Sequence, residues 1–227
     1  LSVVPESSLA RKTLRSARPR EQIRFEFTHD AGLMHQYCSM RENMFISVWG
    51  LKHFSGVKDR FDDISQVMVA RKGLQVIAGG RLTISSPSRR VAMPMEGADF
   101  ELEKMFPELD LAQHSYGEFS RLAILPEFRA GTVFPELAMR FIRKAVAEGV
   151  DFAFNMAPVP LARSYRQTMQ LFGLNWHVCS KVAVPEREEF EGIKMMVSYM
   201  DLRSLRGKQL MNNPVSEAMR TLPLLVD

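Results

Sequence analysis

The chain has 227 residues, enough for one large domain or two small ones. Apolar residues make up 46% and charged residues 25%, with a net charge of +4. This is the balance of a globular protein, and the basic excess leaves nucleic acid, anionic lipid and an acidic carrier protein open as partners. Two cysteines, Cys38 and Cys179, are too few for a disulfide framework and read as reduced thiols of a cytoplasmic protein. No apolar run reaches the roughly 18 residues of a membrane span.

Residues 1–22 read as a basic arm, with Arg and Lys but no apolar core of the signal-peptide kind. IRFEFTH (23–29) alternates apolar and polar and predicts a strand. DAGLMHQYCSMRENMFISVWG (30–50) predicts a helix with Asp30 as candidate N-cap and an apolar stripe of Leu33, Tyr37, Met40, Met44 and Val48. Residues 51–65 are polar and read as irregular. QVMVARKG (66–73) and LQVIAGGRLTIS (74–85) predict a hairpin around Lys72 and Gly73. A loop over 86–100 and a short helix over 101–111 lead to YGEFSRLAILPEFRAG (116–131), whose apolar middle is a buried type of strand. VFPELAMRFIRKAVAEG (133–149) has Pro135 in its first turn, Leu137, Phe141, Ala145 and Val146 on one face, and Gly149 at its stop, so it predicts a helix. VDFAFNMA (150–157) predicts a strand and VPLARSYRQTMQLFG (159–173) a helix. LNWHVCSKVAV (174–184) and GIKMMVSYMDL (192–202) predict late strands. Residues 203–227 form a tail of mixed signals. The order fits one domain over 23–202, α/β or α+β in class, around a mixed sheet.

None of the five histidines stands at metal-ligand spacing, and no GxSxG, CxxC or Walker sequence is present. Neither a metal site nor Ser or Cys hydrolase chemistry is expected. No nucleic-acid recognition motif accompanies the basic excess. Fifteen Met residues suit adaptable core packing or an accommodating apolar tunnel. Two features invite chemistry. Glu118 and Arg121 stand at the mouth of a strand, where buried charge is costly unless paired or used. A regular strand points them to opposite faces, and a bulge would alter this. Arg129, Ala130, Gly131 and Thr132 join the same strand to a strong helix, a junction whose backbone N–H groups suit an anion.

LAILPEFRAG with the helix to Gly149, followed by RSYRQTMQLFGL, resembles motifs A and B of the Gcn5-related N-acyltransferases (GNAT). The resemblance implies a three-layer α-β-α domain with a central mixed, mostly antiparallel, splayed sheet. It implies an acyl thioester at the strand end, its pantetheine arm in a notch between two splayed strands. The turn 129–132 would meet a pyrophosphate when the donor is a coenzyme A ester, although this turn has one glycine only. A longer ordered set is present: Arg41-x-x-x-Phe45, Trp49, Asp59-x-x-Asp62, Arg81 in GGRL, Phe106 in FPEL, and Glu118-x-x-Arg121. It is similar to the signature of acyl-homoserine-lactone (autoinducer) synthases of quorum sensing, and in part to that of long-chain N-acyl amino acid synthases. Arg121 is followed by Leu122 where autoinducer synthases usually carry an aromatic, and the arginine-containing turn is more like that of the amino-acid acylators.

On that resemblance a fatty acyl group passes from acyl carrier protein, less readily from coenzyme A, to the amine of S-adenosylmethionine, whose carboxylate then closes a lactone. The alternatives are an N-acyl amino acid synthase without cyclisation, and a non-catalytic binding domain on the same fold. Glu118 is the expected proton acceptor for the amine. Arg41, Asp59, Asp62, Arg81 and Arg121 are expected to cluster and to order residues 45–62 about the acceptor site. Phe45, Trp49 and Phe106 are expected as core or cleft walls. Phe152, Phe154, Met156 and Met169 are candidate acyl-pocket lining. Arg140, Arg143 and Lys144 are candidate contacts for an acidic carrier protein. The chemistry requires no metal and no permanently bound cofactor, and a monomer or weak dimer is expected.

Overall fold

The computed structural model describes residues 22–97, 99–190 and 192–206. Most of the expected arm (1–21) and tail (207–227) lies outside the described residues. Val67 and Val69 alternate with Met68 and Ala70, and all four are buried, so β2 (Gln66–Lys72) is covered on both faces. The same holds along β3 (Gln75–Ser85), and Gly73, at φ 59°, makes the turn between them. With β1 (Ile23–Phe27), β4 (Tyr116–Ile124), β5 (Phe152–Pro158), β6 (His177–Val178) and β7 (Met195–Asp201) they form one sheet in the order β1-β2-β3-β4-β5-β7-β6. Among the described residues only β4 and β5 are parallel neighbours.

One face carries α4 (Val133–Ala147) and α5 (Val159–Leu171), which pack on Met68, Ala78, Leu82 and Ala153. Leu137, Phe141 and Ala145 of α4 are buried there as the periodicity predicts; each large side chain contributes about 2 kcal/mol. The other face carries α1 (Ala31–Trp49) over Val67, Val69 and Val76. Beside it, residues 91–111, including α3 (Leu102–Met105), cover Tyr116, Phe152 and Phe154. Among the described residues no helix is long and apolar enough to cross a membrane.

Three expectations are corrected. The α1 stripe is rotated: Met34, Tyr37, Cys38, Met40 and Arg41 are buried, while Val48 is exposed. Hydrophobic periodicity cannot place a buried arginine, and Arg41 takes a core position because it is fully paired. Residues 51–65 contain a helix, α2 (Arg60–Ile64), started by a reciprocal cap in which Asp59 accepts from the Asp62 N–H and Asp62 accepts from the Asp59 N–H. The strand expected over 174–184 shrinks to His177–Val178, because a turn at Ser180 and Lys181 carries the chain away from the sheet.

Candidate active site

The site is made by a defect in the sheet. β4 and β5 pair only over Tyr116–Glu118 and Phe152–Phe154, then part. The register of β4 against β3 slips between Gly79 and Arg81, so β4 carries one extra residue near Arg121, whose φ is 55°. This is a bulge, and it bends the strand away from its neighbour. A non-glycine residue in that region costs on the order of 1 kcal/mol. The Tyr37 hydroxyl holds it by donating to the Arg121 carbonyl at 2.7 Å. Tyr37 reaches this position because residue 79 is glycine; a Cβ there would lie 2.6 Å from its ring.

A cavity of about 370 Å³ opens where the strands part. β4 contributes Glu118, Ser120 and Arg121, and β5 contributes Asn155 to Pro158. Phe45 and Trp49 come from α1, Asp59 to Phe61 from the start of α2, and Arg187, Glu189 and Phe190 from the crossing before β7.

Glu118 is 3% exposed, and its Oε2 accepts from the Met95 N–H at 2.7 Å. Burial pushes its carboxyl up to about 7, against the Met95 hydrogen bond and the charges of Arg81, Arg187 and Arg121, which favour ionisation. A carboxyl balanced near neutrality can take a proton from a substrate and return it to water. Arg187 clamps the segment that holds it, donating to the Pro94 carbonyl at 3.0 Å and to the Met95 carbonyl.

Beside Glu118 lies a buried ionic network. Arg41 binds Asp62 through both terminal nitrogens, at 3.0 and 2.7 Å, and donates to the carbonyls of Gly56 and Val57 at 2.9 and 2.8 Å. Gly56 lies so close to α1 that a Cβ would fall 2.5 Å from the Cys38 carbonyl. Arg81 bridges Asp59 and Asp62, at 2.6 and 3.0 Å, and reaches Ser120 Oγ at 3.0 Å. Burial works to raise the Asp62 carboxyl, but the hydrogen bonds and charge of Arg41, the Asp59 N–H and Arg81 hold it below the usual range. Arg121 does not pair with Glu118. It binds Glu189 at 2.8 Å, lies 3.8 Å from Asp59, and stacks over Phe54 at 4.9 Å. Its buried Nη1 has no hydrogen-bond partner.

The structure thus brings Arg41, Asp59, Asp62, Arg81 and Arg121 into one network, of which Arg81 and Arg121 act on Glu118 through their charge. Phe45 stacks on Phe54 at 4.3 Å and, with Trp49, walls the cavity. Phe106 lies in a separate core cluster, 5.3 Å from Phe154 and 5.8 Å from Tyr199. Phe152 and Phe154 belong to that cluster and line neither the large cavity nor a smaller one of about 50 Å³ behind the parted strands. Strand alternation separates them from Ala153, Asn155 and Ala157, which face α4 and α5. Met156 lines the large cavity and Met169 the small one, with Phe134, Leu137, Phe141 and Trp176. Arg129, Ala130, Gly131 and Thr132 are exposed at the start of α4, with Arg129 Nε folded back onto the Ile124 carbonyl at 3.0 Å. Arg140 pairs with Glu136 and stacks over Phe25 of β1, and Lys144 pairs with Glu148 and lies over Phe27 of β1, so both are engaged within the domain. Sequence reasoning missed Ser120, Asn155, Arg187, Glu189 and Phe190. Ser120, set between Glu118 and Arg121, and Asn155, set between Phe154 and Met156, stood close to a recognised signal.

Among the described residues no group of three or more His, Cys, Asp or Glu side chains is arranged to hold a metal ion. No protein-family model matches the chain, and no curated protein matches it in sequence. Solved structures do match. The CoA-dependent acyl-homoserine lactone synthase BjaI, solved with SAM and isopentyl-CoA, superposes with a TM-score of 0.53 at 14% identity, over 83% of this chain and 81% of its own. The AHL synthase LasI gives 0.51 at 15% identity, over 80% and 91%. An acetyltransferase of the GNAT family from Staphylococcus aureus gives 0.51 at 8% identity, over 80% and 100%. With its three layers, its mixed and mostly antiparallel sheet and its parted β4 and β5, the chain has the GNAT fold.

Proposed function

We propose that the chain is an N-acyltransferase that moves an acyl group from a thioester to the amine of an amino-acid-type acceptor. The leading acceptor is S-adenosylmethionine and the leading donor acyl carrier protein. The observation that carries this is Glu118, a buried carboxyl raised to about 7 beside a cavity at the parting of β4 and β5. An α-ammonium group titrates near 8, so a base of this strength suits its deprotonation. Glu118 takes one proton from the ammonium, the freed amine attacks the thioester carbonyl, the carbon–sulfur bond breaks, and the leaving thiolate takes the second nitrogen proton and departs as the thiol.

Arg121, with Nη1 unpartnered, suits the acceptor carboxylate. Phe45, Trp49, Phe61 and Phe190 offer aromatic walls to a sulfonium cation. In the lactone-forming version the acceptor carboxylate attacks the carbon bearing the sulfonium, and methylthioadenosine departs. The turn 129–132 offers backbone N–H groups to a donor phosphate. A second reading, acylation of a free amino acid without cyclisation, is favoured by Leu122 after Arg121. Mass spectrometry after supplying acyl thioesters with S-adenosylmethionine or with free amino acids tests both. An acyl lactone with methylthioadenosine supports the first, and an acyl amino acid alone the second. Absence of acyl transfer to any amine removes both.

A further inference from the structure

The positive charge of the chain is gathered at one end of the domain. β1 starts at Ile23 opposite Lys72, beside the turn that joins β2 and β3. β4 ends at the same edge, where the Leu125 N–H donates to the Ile77 carbonyl and the Lys72 ammonium lies 5.8 Å from the centre of the Phe128 ring. Arg24, Lys72 and Arg129 are exposed here, and Arg71 is half-buried against Glu26. Residues 1–21 join the domain at this end and hold five Lys or Arg against two Glu, a surplus of three. Arg24, Arg71, Lys72 and Arg129 against Glu26 and Glu127 add two more, where the whole chain has +4. The rest of the molecule is therefore close to neutral, and such an asymmetry points to an anionic partner at this end.

Apolar side chains stand out from the same basic ground. Gly73, at φ 59°, opens a two-residue hairpin turn between Lys72 and Gln75, and glycine is what that position needs. The turn asks nothing apolar of the next position, yet it holds Leu74, which at 88% is the most exposed large apolar side chain among the described residues. α1 reaches this end too, because Gln36 accepts from the Val76 N–H and Arg129 Nη2 meets Met44 Sδ at 3.6 Å. Beyond Met44, Ile46 and Val48 are exposed. The same turns carry Phe45 and Trp49 to the large cavity.

We propose that this end of the domain docks on an anionic lipid bilayer, with Leu74 entering the boundary of the acyl chains and Arg24, Lys72 and Arg129 at the headgroups. Cations that meet anionic headgroups, with an apolar side chain ahead of them, are the two signals a reversible interfacial anchor combines. A nucleic acid or a hydrated acidic protein satisfies the cations and leaves Leu74 in water. The inference does not rest on the acyl-transfer reading.

The test sediments the full chain with vesicles of phosphatidylcholine, alone or mixed with phosphatidylglycerol. Partition to the mixed vesicles is expected to exceed that to the neutral ones by about ten-fold or more, and to fall as salt rises. Leu74→Ser and Lys72→Glu alter an exposed turn, and each is expected to lower that partition several-fold at an unchanged thermal midpoint. Leu74→Trp reports entry directly: its added emission is expected to shift to the blue on mixed vesicles and to be quenched by brominated acyl chains. Equal partition to both vesicles, no partition at low salt, or undiminished partition of Leu74→Ser overturns the proposal. So does Leu74-dependent capture of an acidic carrier protein by a chain that the vesicles do not bind, which makes this end a protein dock. No donor or acceptor enters the assay, so a failure of acyl transfer leaves its outcome unchanged.

Discussion

Glu118→Gln separates the stability of the site from its chemistry. The carboxyl sits at about 7 in the folded chain against an ordinary 4.5. Between those values the folded state holds a proton that the unfolded state has released. Raising the pH through this window therefore costs stability, and the cost is complete above about pH 7. The gap corresponds to roughly 3 kcal/mol. Glutamine has the same shape and no charge, and its carbonyl oxygen can still accept from the Met95 N–H. The variant should match the wild type in urea unfolding near pH 4.5 and exceed it by roughly 3 kcal/mol at pH 8. In the same preparation acyl transfer should fall by about a hundred-fold or more, and the wild-type kcat/KM should climb with pH through about 7. A stability difference that stays constant with pH, or a variant less stable than wild type at pH 8, would refute the reasoning.

Asp62→Asn leaves Arg41 and Arg81 buried without their shared partner and should cost about 3–5 kcal/mol in urea unfolding. Because the Asp62 carboxyl is held low, its wild-type contribution is present above the unfolded pKa and is lost as pH falls through the folded one; the variant should lack that acid-side loss. Arg187→Ala releases the Pro94–Met95 segment and removes a charge that favours ionised Glu118. The alkaline rise in kcat/KM should move to higher pH, a shift that mere loosening of the fold would not produce. Gly79→Ala drives a methyl group into the Tyr37 ring and should destabilise by about 1–3 kcal/mol, with an accompanying drop in activity as the bulge at Arg121 loses its hydroxyl clamp.

Much of the site was legible because its spacing is local. Asp59-x-x-Asp62 is a helix cap as well as a pair of ligands for arginine, and three-residue spacing encodes both roles. Glu118 drew notice as a charge in an apolar strand. Other parts were illegible for a definite reason. Arg187 and Glu189 approach Glu118 and Arg121 from about 70 residues away, after a strand that ends early, and no local pattern records such a meeting. Phe152 and Phe154 show the limit of composition: an aromatic strand is apolar on both faces, and which face meets the cavity depends on what covers each.

The sequence by itself determined the long helices, the hairpin and the succession of the main strands along the chain, because periodicity, caps and turns are interactions between near neighbours. It also supplied the charged residues of the network, since their types cannot be exchanged without stranding a partner. The tertiary structure alone decided that β4 and β5 part at Glu118 and that Arg121 sits in a bulge rather than opposite Glu118. Those outcomes rest on register between distant strands, where a slip of one residue reverses every side chain, and that register is settled only when the whole sheet packs.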